Sequence, residues 1–458
     1  MQRPILQSLI LSLALGVSLP LLIQAQSGQS VATNAAVPVA GVAPASPAYI
    51  NPVAGLTVDE AVKYALDNNK SLLADRQLIA EAAGRLRQAG LKPNPMLGIS
   101  GATDPASPAD SGFTVGVTLP LEYGGRRLRR VAVAERELER RKFEVAERER
   151  RLGAEVRLKY GEAIEAVRNL ELNDKLLELN QQSFTIVKAR VTEGASAPLE
   201  QSLLQVELSR IEAQRTAYTT RAAVLIEELK SLLGMDSADK LQLRDEFIER
   251  PVALTREQML EKAMHTRPDL LAARAAEEVA AAMIAQAKTE GRVDLSVFAE
   301  YGLQGTGFDQ LGTNPDTGHP ERIFMRSGMI KGGVNITLPT RNKNEGNIAA
   351  AVALGEEARL RREFIESVIR REVAAAYIRY EGAVKVLKTY HTDLLATSQD
   401  NLRVVRGSYD LGYVRLTEVL NEQRRLVDVQ MSYTGALKEY YTSRAELESV
   451  LGTPLSEK

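Results

Sequence analysis

The sequence predicts a mainly α protein with a membrane β part, built from one strand–strand–helix–helix unit used twice. Three observations carry this. Residues recur in the same order in the two halves: Leu56–Thr57 with Leu254–Thr255, Thr118–Leu119–Pro120 with Thr337–Leu338–Pro339, Glu155–Val156 and Tyr160 with Glu372–Val373 and Tyr377, Leu233–Gly234 with Leu451–Gly452. Residues 126–192 contain no proline, and at about 1.5 Å per residue such a helix runs about 100 Å. Finally, two short stretches of period-two alternation precede each long helical stretch. A duplicated unit of this kind leaves few architectures open.

Along the chain, residues 1–25 read as a signal peptide, with Arg3 in the basic region, an apolar run from Ile5 to Ile23 and Ala25 at the cleavage point. Residues 26–54 are rich in Ala, Pro, Gly and Ser without periodicity and read as a flexible N-terminal segment. The first repeat covers 55–235, with strands near 96–101 and 113–119 and a helical hairpin over 126–234. A linker over 236–253 joins it to the second repeat, 254–453, with strands near 293–303 and 332–338 and a hairpin over 345–451. The offset grows from 198 at Leu56/Leu254 to 219 at Thr118/Thr337. An insertion inside a coiled helix would disturb its seam, so the extra length is expected in a loop over 304–327.

In the strands, Phe113, Val115, Val117 and Leu119 share one face, and Thr114, Gly116 and Thr118 the other. Val293, Leu295, Val297, Ala299, Tyr301 and Leu303 face away from Asp294, Ser296 and Glu300. Such alternation suits a strand with lipid or core on one side and water on the other. Every edge must be paired in a membrane, and four strands cannot close around water. Three protomers sharing one barrel would supply about twelve, within the range of known barrels. The alternative from these residues alone is a soluble periplasmic coiled-coil scaffold capped by a small sheet.

In the first long helix Val131, Leu138, Val145 and Leu152, then Val156, Ala163, Leu170, Leu177, Phe184 and Val191, recur every seven residues. In the second, Ile369, Val373, Ala376, Tyr380, Ala383, Leu387, Tyr390 and Leu394 alternate by four and three. Both are seams of a left-handed coiled coil. The helices turn back at 193–198, through Gly194, Ala195, Ser196 and Pro198, and at 410–413, through Leu411 and Gly412.

Composition excludes several classes. The formal net charge is −1, so no basic field points to nucleic acid. There is no cysteine, hence no disulfide and no thiolate metal site. His265, His319 and His391 lie far apart without metal-ligand spacing, and no nucleophile, phosphate-loop or dinucleotide motif occurs. No enzyme activity, cofactor or resident metal is expected. No apolar run of about 20 residues follows the signal segment.

The tip stretch Tyr409–Asp410–Leu411–Gly412, followed by Thr417–Glu418–Val419–Leu420, together with the repeat, resembles the TolC-like family of trimeric outer-membrane efflux channels. Pro93–Asn94–Pro95, the run from Leu121 to Arg127 and the run from Leu338 to Gly346 resemble its heavy-metal efflux, CzcC-like branch. The resemblance implies a homotrimer with a shared 12-strand barrel in outer-membrane lipid and an α-barrel tunnel in the periplasm. It also implies docking to a periplasmic adaptor, the membrane fusion protein, and to an inner-membrane resistance-nodulation-division pump. The implied cargo is a divalent heavy-metal cation, with drug efflux or type I protein secretion as alternatives for the same fold.

The resemblance also implies a gate at the periplasmic tip. Tyr409 falls on the family's gate tyrosine, Glu200 on its partner acid and Glu418 on the first acid of the pore ring. Asn421 stands where the family has a second ring acid, and Val414 where it has a gate arginine, with Arg415 next to it. Gly194, Ala195, Ser196, Gly407, Leu411 and Gly412 fall on the adaptor-docking tips. Arg126, Arg127, Arg129 and Arg130 are expected to flank the membrane on its periplasmic side.

Overall fold

The computed structural model describes residues 49–453 apart from 106, 246, 248–251, 253 and 391–393. The expected signal segment 1–25 and residues 26–48 of the flexible segment lie outside the described residues. The first repeat runs α1 (Val58–Asn68), α2 (Lys70–Ala89), β1 (Met96–Asp104), β2 (Ser107–Leu121), α3 (Arg126–Thr192) and α4 (Pro198–Leu233). The second runs α5 (Arg256–Thr266), α6 (Pro268–Glu290), β3 (Asp294–Thr313), β4 (Pro320–Thr337), α7 (Glu345–Thr389), α8 (Leu395–Asp410) and α9 (Leu416–Leu451).

The repeated Leu–Thr pair has a local cause. Thr57 caps α1 in a reciprocal box with Glu60, and Thr255 caps α5 in the same way with Gln258. Each box satisfies two amide donors that the helix start leaves open. Gly234 and Gly452 end the return helices α4 and α9 at φ of 77° and 71°, a left-handed conformation that a side chain disfavours.

The residues 49–54, expected to be flexible, are tied down. The backbone at Ile50 and Leu56 bridges Leu243 in parallel, and the linker is thereby docked on the first repeat. The Tyr160 hydroxyl beneath them lies 2.8 Å from the Leu56 carbonyl and 2.5 Å from that of Arg244.

The expected α3 is one unbroken helix of 67 residues. Val145, Val156, Ala163, Leu170 and Leu177 of its seam are buried. Gly161, in mid-helix, sits under the Tyr441 ring of α9, where a Cβ would lie 2.8 Å from the ring. The second seam holds from Ile369 through Leu387, packed on Met259, Leu270, Leu437 and Leu447. It then departs from expectation: the α-helix is interrupted between Thr389 and Leu395, and Leu394 is exposed. Continued steps of four and three would bury 397, 401 and 404, yet Thr397, Asn401 and Val404 are exposed while Ser398 is buried. The seam is therefore displaced by one residue, which is what a locally widened helical turn absorbs.

The four strands form one antiparallel sheet in the order β1-β2-β3-β4. Leu97 pairs Val117, Val115 pairs Tyr301 and Tyr301 pairs Ile330 on one face; Ser100 pairs Thr114 and Glu300 pairs Lys331 on the other. The apolar face is open in the protomer, with Ile330 82% exposed. The expected loop over 304–327 is a correction: Gly305 pairs Arg326 and Thr313 pairs Pro320, so it is a continuation of β3 and β4 turning only at 314–319. Gly305, Gly307 and Gly312 dilute the alternation there, and it is the pairing rather than the pattern that makes the strands. The other strands likewise run beyond their expected ends, β1 to Asp104 and β2 from Ser107.

Candidate functional site: the helical tip

The tip is made where α3 turns into α4 and α8 into α9. Gly194 and Gly412 adopt φ of 75° and 80°, and Pro198 opens α4. These turns set the first residues of the return helices beside the last turn of α8. Tyr409 lies in that last turn. Its ring packs with Val187, Leu204, Leu416 and Leu420, and its hydroxyl donates to Glu200 Oε2 at 3.3 Å. Burial and then the neighbouring Glu200 charge push the Tyr409 hydroxyl's pKa up, against an opposing contribution from Arg190. The phenol is thus held neutral, as a hydrogen-bond donor.

The other expected gate residues are not joined to this pair. Glu418 is in the first turn of α9 and exposed; its amide donates to the Arg415 carbonyl at 3.0 Å. Arg415 is the exposed residue preceding α9, and no ion pair of it is found among the described residues. Asn421 is exposed, whereas Glu422 is buried and paired with Arg425 at 3.0 Å. Of the tip residues, Gly194, Ala195, Gly407, Leu411 and Gly412 are exposed and Ser196 is half-buried.

A second link between the two return helices was not anticipated. Glu207 of α4 is 4% exposed and accepts from Arg424 of α9 at 2.5 Å and from Arg210 at 2.6 Å. Burial alone would raise its pKa, but the hydrogen bonds and charges of Arg210 and Arg424 outweigh burial and lower it. Glu207 and Arg424 are 217 residues apart, one short of the 218 that relates α4 to α9, so the counterpart of Glu207 is Arg425 and the link joins positions one residue out of register. An acid on one return helix and a base beside its counterpart on the other is the signal by which the sequence could have shown this link. Leu204, Leu416 and Leu420 lie between the two links.

Far from the tip, the polar face of the sheet is concave. Its charged lining consists of Asp104, Asp110, Glu300 and Lys331. Among the described residues, no group of three or more His, Asp or Glu is placed to hold a metal ion, and no helix is long and apolar enough to cross a membrane.

Comparison with known proteins decides the family. Residues 61–235 and 259–453 match the outer membrane efflux protein family, one match for each repeat. The chain belongs to that family. It is 22% identical over 412 residues to the cobalt-zinc-cadmium resistance protein CzcC of Cupriavidus metallidurans, covering 89% of this chain and 92% of that protein. It is 23% identical over 304 residues to the outer membrane protein TolC of Vibrio cholerae, covering 65% and 67%. Among solved structures, CusC superposes with a TM-score of 0.69 at 19% identity, over 87% of this chain and 93% of that one. The outer membrane protein VceC of Vibrio cholerae superposes at 0.67 with 19% identity, over 87% and 97%. The protein is an outer-membrane efflux channel with its helices in the periplasm, so lipid meets the apolar face of the sheet.

Proposed function

We propose that the protein is the exit duct of a tripartite, proton-driven efflux system that exports divalent heavy-metal cations. The observation that carries the cargo is the similarity to CzcC along nearly the full length of both chains. The charge of the sheet's polar face supports it, since three carboxylates and one ammonium favour cations in a lumen. Three protomers close the barrel, because each supplies four strands with two unpaired outer edges that lipid cannot satisfy. The tips meet a periplasmic adaptor, which links the duct to an inner-membrane pump of the resistance-nodulation-division type.

The resting duct is held shut where Tyr409 of α8 meets Glu200 of α4, and Glu418, repeated three times about the axis, forms a cation-favouring constriction. A soluble scaffold is set aside, because it has no use for a sheet with an open apolar face. The deciding test is a tolerance panel on a deletion strain, comparing cobalt, zinc, cadmium, nickel and copper with drugs and detergents. Selective metal sensitivity with raised cell-associated metal is expected. Drug sensitivity with normal metal tolerance would keep the channel and overturn the cargo.

A further inference from the structure

The β3–β4 hairpin reaches well past its neighbours: the pairing of β2 with β3 ends at Gly112/Gln304, while β3 and β4 remain paired to Thr313/Pro320. All four strands begin or end in helices at the other end of the sheet. With the helices in the periplasm, the projecting hairpin stands on the outer surface of the membrane. Asp294 to Leu303 is ten residues, the length of a strand that crosses a bilayer.

Every second residue of β4 faces lipid. From the periplasmic end these are Ile336, Val334, Gly332, Ile330 and Gly328, opposite Leu295, Val297, Ala299, Tyr301 and Leu303. The Tyr301 ring covers Gly328, with its hydroxyl 3.0 Å from where a Cβ would be. The same period then gives Arg326, Phe324 and Arg322, opposite Gly305, Gly307 and Leu311. The apolar belt thus ends abruptly in a basic–aromatic–basic series on its own face. The Arg326 guanidinium lies over the Phe324 ring at 5.4 Å from its centre, which orients the planar donor group. Arg322 is 75% exposed, and its one ion-pair contact among the described residues is Asp309, at 3.9 Å, itself 98% exposed. Such a contact holds the cation weakly.

We propose that Arg322 and Arg326 bind the phosphate groups of lipids in the outer leaflet. The two lie four residues apart on one strand, about 13 Å, so each can take a separate phosphate. Guanidinium suits this partner because it matches phosphate oxygens with two parallel donors and remains charged at any relevant pH. Headgroup depth follows from continuity with the lipid-facing belt, and the occupant from charge complementarity.

The test uses the full-length channel purified from outer membranes in mild detergent. Bound phosphorylated lipid is counted by mass spectrometry for the parent, R322Q/R326Q and R322K/R326K, with the trimer isolated in each case. The parent should retain anionic phosphorylated lipid, the Gln pair about tenfold less and the Lys pair an intermediate amount. Equal retention by parent and Gln pair would overturn the proposal. So would displacement of the lipid by millimolar inorganic phosphate, which would make the site one for free phosphate. A second measurement needs no variant: the parent's unfolding midpoint in nanodiscs should rise when phosphorylated anionic lipid replaces zwitterionic lipid. An unchanged midpoint would count against the proposal equally.

Discussion

The two hairpins come from one repeated unit, yet they are not equally fixed. In the first, α3 is continuous and packs on α4 along its whole descent: Ala166 and Leu170 on Ala222, Leu177 on Leu208 and Ile211, Val187 on Leu204. Asn173, buried in this arm, donates to the Ile211 carbonyl at 3.3 Å. In the second, the α-helix ends at Thr389 and resumes at Leu395, and α8 buries only Ser398. Val404 is 66% exposed. Duplication has therefore produced one arm with a core of its own and one whose lower part is held to its own subunit chiefly at the tip. If a tip moves, α8 is the element with least to lose within the protomer.

Removing the buried link should have the largest effect on this comparison. Glu207→Ala leaves Arg210 and Arg424 facing a buried void. Loss of one partner of a fully buried pair costs about 3–5 kcal/mol, and both arginines are nearly half exposed and can turn to water, so about 2 kcal/mol is expected here. The unfolding midpoint should fall and the resting conductance in planar bilayers should rise, while Arg424→Ala does less. An unaltered conductance would separate the link from the gate. The pH dependence has a definite sign. Because the folded pKa of Glu207 is lowered, its contribution is complete above the unfolded value of about 4.3 and is lost only as pH falls below that toward the folded pKa. Conductance changes between pH 8 and 5 should accordingly be no larger in the parent than in Glu207→Ala.

The outer link is weaker. Tyr409→Phe with Glu200→Gln removes one hydrogen bond of 3.3 Å at a partly exposed site. A loss of about 1 kcal/mol corresponds to roughly a fivefold rise in resting open probability. Single-channel recordings of the double variant should show it, with little change in unfolding midpoint. If the double variant conducts like the parent, the fixed and movable arms are not joined there.

How much of this was legible in the sequence differs between the arms for the same reason. The first seam and the second seam as far as Leu387 follow fixed steps, so pattern and packing agree. The displacement of the second seam was legible only as a phase: Ser398, Leu402 and Val405 continue it one residue late, and a polar serine is easily passed over as a core position. Tyr409 and Glu200 were found because their residue types fall on a family pattern, and the structure brings them together. Glu207 and Arg424 were missed because charged residues on a helix read as solvated face. Only the fold shows that α4 and α9 leave the Glu207 carboxylate almost no water. The strands over 304–327 were hidden by glycines whose pairing partner, not their alternation, defines them.

The smallest effects are expected at the exposed acid and the arginine beside it. With Glu418 in the proposed constriction, Glu418→Gln should lower the cation-to-anion permeability ratio without altering stability, because the side chain is exposed in the protomer. Unchanged selectivity would remove it from the constriction. For Arg415→Ala, no change in resting conductance is expected, since no ion pair holds this side chain among the described residues. Val414 occupies the position that the family resemblance gives to a gate arginine, and Arg415 is the extended residue that precedes α9. Equal closure with and without the Arg415 guanidinium would assign the resting state to the two links between the arms. A leak as large as that of Tyr409→Phe with Glu200→Gln would instead show that Arg415 reaches a carboxylate on a neighbouring protomer.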